Sequence, residues 1–150
     1  MRFANWTGAL CLLLLLASPA ISQERGTPEQ AKALVEKAVP HFKDVGVDKA
    51  CADFDDPKAG YWDKDLWVFV YSIEGKILCA TGVPGLVGRD ATTLKDGDGK
   101  EFGKMIIAAA KSGGGWAEYR MTNPVTKKAD PKKTYSIQVG DYILACGAYL

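Results

Sequence analysis

The stretch GWAEYRMTNPVTKKADPKKTYSIQV, residues 115–139, decides how the rest of the chain is read. Two aromatic, β-prone runs flank Asn123-Pro124, a turn pair, and four lysines (Lys127, Lys128, Lys132 and Lys133) lie between and beside them. The pattern predicts strands at about 116–121 and 133–139. A further strand follows at 142–149 across Gly140-Asp141. With period-2 alternation, Ala117, Tyr119 and Met121 share one face of the first strand, and Lys133, Tyr135, Ile137 and Val139 share one face of the second. If both faces look inward, a lysine and two tyrosines converge, with Trp116 as a wall. A buried ammonium needs an anionic partner, so Lys133, Tyr119, Tyr135 and Trp116 suit a small carboxylate. The alternative left open by spacing is that Lys133 stands at the strand mouth and snorkels into water.

Working outward, LWVFVYSIEGKILCATG (66–82) reads as paired strands at 66–73 and 76–81 around Glu74-Gly75. The first is apolar on both faces, as a central strand covered on both sides would be. The loop 81–100, TGVPGLVGRDATTLKDGDGK, is longer than a connector needs, and such loops usually have a task. A helix at 101–112 ends in Gly113-Gly114-Gly115. Upstream, Thr27-Pro28-Glu29-Gln30 is a capping box with Pro at the first helical position. Ala31, Leu34, Val35 and Ala38 give that helix an apolar face, and Pro40 is expected to kink or end it. Beyond Gly46 a second short helix carries Val47, Cys51 and Phe54 and stops in the Asp55-Asp56-Pro57 turn. Five strands joined mainly by hairpins imply an antiparallel sheet with helices on one side, an α+β fold.

The chain opens with Arg2, an apolar run from Ala9 to Ala17, Pro19 and the small residues Ala20 and Ser22. This is a secretory signal peptide, cut after Ser22, with one domain at 23–150. The run is too short to span a bilayer, which takes about 20 residues. Arg2 is the only charge removed, so 18 of the 19 basic residues remain against 18 acidic ones. A balanced chain has no basic excess to attract nucleic acid. Three cysteines remain after cleavage, Cys51, Cys79 and Cys146, and an odd count leaves both free buried thiols and a single bridge open.

Catalytic chemistry is sparse. The one histidine, His41, has no nucleophile partnered to it and is expected to face solvent. DGDGKE at 96–101 fails as a calcium loop, since Lys100 and Glu101 stand where an oxygen ligand and the glycine belong. The acidic group Asp53, Asp55, Asp56, Asp63 and Asp65 is interleaved with lysines and reads as a solvated loop. Neither a metal nor a cofactor is expected, and no enzyme activity.

GKILCATGVPGLVGRDATTLKDGDGKEF (75–102) and GGGWAEYRMTNPVTKKADPKKTYSIQVGDYILACGAYL (113–150) resemble the single Cache domains of the second type, extracytoplasmic sensor modules of chemoreceptors and histidine kinases. Leu86-Val87-Gly88, Leu94-Lys95-Asp96, Asp98-Gly99-Lys100, Gly115-Trp116, Tyr119, Asn123-Pro124, Lys133 and Tyr135 carry the likeness over roughly residues 29–149. It implies a PAS-like five-stranded antiparallel sheet, an N-terminal helix and a ligand cavity beneath the helix-containing loop region, with small organic acids as typical ligands. Tyr71 and Asn123 complete the implied site. Many relatives carry His where this chain has Thr81. Because the chain stops at Leu150, signal output is expected through a separate membrane receptor or kinase, from a periplasmic protein able to dimerise through its N-terminal helix. A closed-core interaction module without a small ligand is the competing expectation. The family sheet order puts strand 66–73 between those holding Cys79 and Cys146, about 9.6 Å apart, beyond the ~7 Å reach of a disulfide. Any bridge should therefore involve Cys51.

Overall fold

The computed structural model describes residues 24–150, so the signal segment and its cleavage site lie outside the described residues. Helix α1 (Pro28–Asp55) starts as its capping box dictates: the Thr27 hydroxyl accepts the Gln30 amide at 3.2 Å and Gln30 Oε1 accepts the Thr27 amide at 3.0 Å. Pro40 does not end it. That residue is exposed and stays helical, leaving the carbonyl it orphans to water. The break comes at Gly46, whose φ of 77° and ψ of 171° are open to glycine and costly for other residues. Beyond it the chain turns back, and His41 Nε2 meets Asp53 Oδ2 at 2.8 Å. Twelve residues of straight helix would hold them about 18 Å apart. His41 is consequently half-buried, stacked on Tyr61 with ring centroids 5.1 Å apart, and not the solvent-facing residue expected of a lone histidine.

Short strands β1 (Trp62–Asp63) and β2 (Leu66–Trp67) form a small hairpin. The main sheet follows with β3 (Phe69–Ser72), β4 (Ile77–Cys79), β5 (Gly115–Thr122), β6 (Ala129–Val139) and β7 (Tyr142–Tyr149), in the antiparallel order β4-β3-β7-β6-β5. Between β4 and β5 lie two 3-10 turns, Pro84–Leu86 and Ala91–Thr93, and helix α2 (Phe102–Lys111). Strand β6 begins four residues earlier than its pattern suggests, taking in Asp130 and Pro131.

The sheet is covered on both faces, which corrects the expectation of helices on one side. Helix α1 lies on one face over Val68, Val70, Leu144, Cys146 and Tyr135. On the other, α2 and the long loop pack on Phe69, Tyr71, Ile77, Tyr119 and Ile143. A disulfide joins Cys51 on α1 to Cys79 on β4, with Cα atoms 5.7 Å apart, and Cys146 is a buried free thiol. On the outer edge of β5, Asp96 Oδ2 accepts the Arg120 amide at 3.0 Å and Lys100 Nζ reaches the Glu118 carbonyl at 3.4 Å. The same Asp96 carboxylate receives the amides of Asp98 and Lys100, closing the turn before α2.

Candidate functional site

The β5–β6 register fixes which side chains meet. Trp116 pairs with Tyr135, Glu118 with Lys133, and Tyr119 with Lys132. Since paired residues share a face, Tyr119 looks toward the loop and α2 together with Lys132 and Thr134. Lys133 and Tyr135 look the other way, with Trp116. The sequence-predicted site is thus divided. Lys133 Nζ binds Glu118 Oε1 at 2.9 Å and lies 5.3 Å from the Trp116 ring centroid, while Trp116 packs edge-on against Tyr135 at 5.2 Å. This cluster sits beside α1, on the sheet face opposite Tyr119.

Asn123 belongs to neither face. It is buried in the β5–β6 turn, where Nδ2 donates to Asp130 at 2.9 Å and Oδ1 accepts the Val125 amide at 2.9 Å. Its backbone amide and carbonyl are also engaged, with Lys128 and Lys127. Asn123 organises the turn that sets the register.

On the loop face a cavity of about 20 Å³ lies between the sheet and the segment 80–86. Tyr71 and Tyr119, both expected at the site, are in its wall, with Trp67, Phe69, Phe102 and Lys132. Lys132 is the candidate residue that the sequence reading missed. It is only 3 % exposed, and its ammonium lies 4.5 Å from the Tyr149 ring centroid and 4.9 Å from that of Trp67. No carboxylate among the described residues comes within 4 Å of it. Loss of water lowers its pKa to about 8, against the opposing pull of the Cys146 thiol and Asp65. Asp65 is itself buried and accepts the Gly26 amide at 2.6 Å.

Gly147 on β7 makes room for this arrangement. A Cβ there would lie 2.3 Å from Thr134 Oγ1 and 2.7 Å from Lys132 Cε. Thr134 and Tyr119 hydroxyls share a hydrogen bond of 2.9 Å, and burial pushes the phenols of Tyr119 and Tyr71 well above their usual range. Thr81 Oγ1 is buried with no hydrogen-bond partner among the described residues. The arrangement offers one cation, neutral hydroxyls and aromatic walls. Those groups suit an anion.

A five-stranded antiparallel sheet with a long N-terminal helix on one face and a loop-roofed cavity on the other defines a PAS-like module. The family model "Single Cache domain 2" matches residues 20–150, nearly the whole chain, and the protein belongs to that family of sensor domains. No curated protein matches it. Among solved structures it is similar to a methyl-accepting chemotaxis protein from Vibrio parahaemolyticus, at 22 % identity and TM-score 0.68, over 81 % of this chain and 86 % of that one. It is also similar to the periplasmic sensor domain of a chemotaxis protein, at 21 % identity and TM-score 0.64, over 81 % of this chain and 89 % of that one. A Cache chemosensory domain solved for its carboxylic acid recognition matches at 20 % identity and TM-score 0.66, over 81 % of this chain and 92 % of that one. At these identities the likeness establishes the fold. Among the described residues no helix is long and apolar enough to cross a membrane.

Proposed function

We propose that the protein is an exported Cache-type binding module that holds a small carboxylate on Lys132, in the cavity walled by Tyr71, Tyr119 and Trp67. The observation that carries this reading is a buried ammonium with no carboxylate among the described residues within 4 Å and only Asp65 as a more distant counter-charge. Such a charge is costly unless an anion meets it, and a carboxylate oxygen would do so while its short apolar part replaces water against the rings. The balanced charge of the mature chain, the N-terminal export signal read from the sequence, and family membership all fit a periplasmic sensor component. It would report ligand state in signal transduction or chemotaxis to a separate membrane receptor or histidine kinase. The outward side of α1 carries Glu36, Lys37, Lys43 and Asp44, which suits a transient contact, with a partner or a second copy, better than an obligate one. Lys133, Trp116 and Tyr135 lie behind the sheet and take no direct part in this reading.

The small volume favours a second reading, a closed core whose work lies in a protein partner. A thermal-shift screen of the full chain against small carboxylates, amino acids and amines separates the two. A ligand at 100 times its Kd adds about 2.7 kcal/mol, a shift of several degrees for a domain of this size. The expected result is stabilisation by a short carboxylate that disappears in Lys132→Ala and weakens above about pH 8, as the ammonium loses its proton. A well-folded protein that no carboxylate stabilises would establish the closed core instead.

A further inference from the structure

The Lys132 cavity is separated by a thin wall from a larger, open groove. That groove, of about 330 Å³, is lined by Leu94, Arg120 and Thr122 on its far side. Leu86, Phe102 and Met121 line both spaces. These three differ in how firmly they are held. Phe102 is 7 % exposed at the start of α2 and stacks on Tyr119, with centroids 4.5 Å apart and planes 11° apart. Leu86 ends a 3-10 turn of the loop, Met121 lies near the end of β5, and both are only half-buried.

The strand register gives the wall a length scale. Lys132 stands opposite Tyr119, and Met121 is the next residue on the same face of β5, roughly 7 Å along the strand. In the other direction the cavity ends on Phe69 and Ile77, which belong to the packed core. A ligand anchored on Lys132 that extends toward the outer groove therefore meets Leu86 and Met121.

We propose that Leu86 and Met121 set the chain length of the acid that the site accepts, as the partition between the Lys132 cavity and the outer groove. This inference rests on the carboxylate reading of the site. With the partition intact, the cavity of about 20 Å³ favours the shortest acid. Shortening either side chain joins the two volumes and lets a longer alkyl tail run into the groove.

The test is calorimetric titration of the full chain with acetate, butyrate and hexanoate, for the parent, Met121→Ala and Leu86→Ala, with Val87→Ala as a control in the same turn. One methylene misfit in an apolar pocket is worth about 10- to 200-fold. The parent should bind acetate at least ~30-fold more tightly than hexanoate, and each alanine variant should lower that ratio at least tenfold while Val87→Ala leaves it in place. Leu86 lies on a surface turn, so its variant keeps the test usable if Met121→Ala unfolds. Acetate binding by the parent with an unchanged ratio in the folded variants would overturn the partition alone. A parent that binds none of the three acids would overturn the carboxylate site and the partition with it.

Discussion

The two faces of the sheet treat charge in opposite ways. On the α1 face Lys133 is matched by Glu118, and His41 and Lys49 share Asp53, whose carboxyl they hold below its usual range. On the loop face Lys132, the adjacent residue in the chain, is enclosed by aromatic rings with Asp65 as a distant counter-charge. One face is closed by a covalent staple and satisfied ion pairs, and the other keeps an unmet charge beside a cavity. Proteins retain unmet charges mainly where something is to be bound. The contrast supports the proposed site on the loop face and sets it apart from the stapled α1 face.

The sharpest way to break this division is at the staple. The Cys51–Cys79 disulfide closes a loop of 28-residue separation, and replacing both cysteines by Ser should cost about 3 to 4 kcal/mol in a urea titration. Ligand affinity should change little, because neither cysteine lines the cavity.

Next in size is Lys132→Met, which should stabilise the unliganded protein while abolishing anion binding. A fall from 10.5 to about 8 sets roughly 3 kcal/mol against the charged form, as an upper figure. The pH dependence has a definite sign. Between about pH 8 and 10.5 the unfolded parent holds a proton that the native parent has released, so native stability rises with pH across that window. The advantage of Lys132→Met should be greatest below pH 8 and shrink toward pH 10.5. An advantage that does not change with pH would show that Lys132 carries no burial penalty.

Gly147→Ala, which drives a methyl group against Thr134 and the Lys132 stem, should cost about 1 to 3 kcal/mol and weaken ligand binding. The smallest effect belongs to Lys133→Met. The Lys133–Glu118 pair is largely solvated, with side chains 31 % and 60 % exposed, so the melting midpoint should move by less than about 2 °C. A large loss of ligand affinity in this variant would return the site to the face on which the sequence first placed it.

Much of the fold was legible because its signals are local. The capping box at Thr27, the Glu74-Gly75 turn and strands β5 and β7 each act within a few residues and form where expected, whereas the single strand expected over 66–73 divides into β2, paired with β1, and β3 of the main sheet. The second helix does begin beyond Gly46, which supplies the positive φ of the turn, whereas Pro40 is exposed and stays helical instead of kinking or ending the first. The site was half legible for a different reason. Lys133, Tyr135, Ile137 and Val139 are the more apolar phase of β6, and that phase faces α1. Lys132, Thr134 and Ser136, the polar phase, face the loop side. On a sheet buried on both faces, hydrophobicity cannot say which face is the site. The missing information was the register, set by a six-residue turn folded around Asn123.

The loop that roofs the cavity also changes how the molecule behaves toward its own kind. Strand β5 is the longer of the two edge strands of the main sheet, and an unprotected edge of that length is a template for chains adding one after another. Here Asp96 already occupies the Arg120 amide and Lys100 the Glu118 carbonyl. An incoming extended segment would have to displace that carboxylate and that ammonium to pair along the middle of the strand. The segment that roofs the cavity thereby also blunts the exposed edge of the sheet.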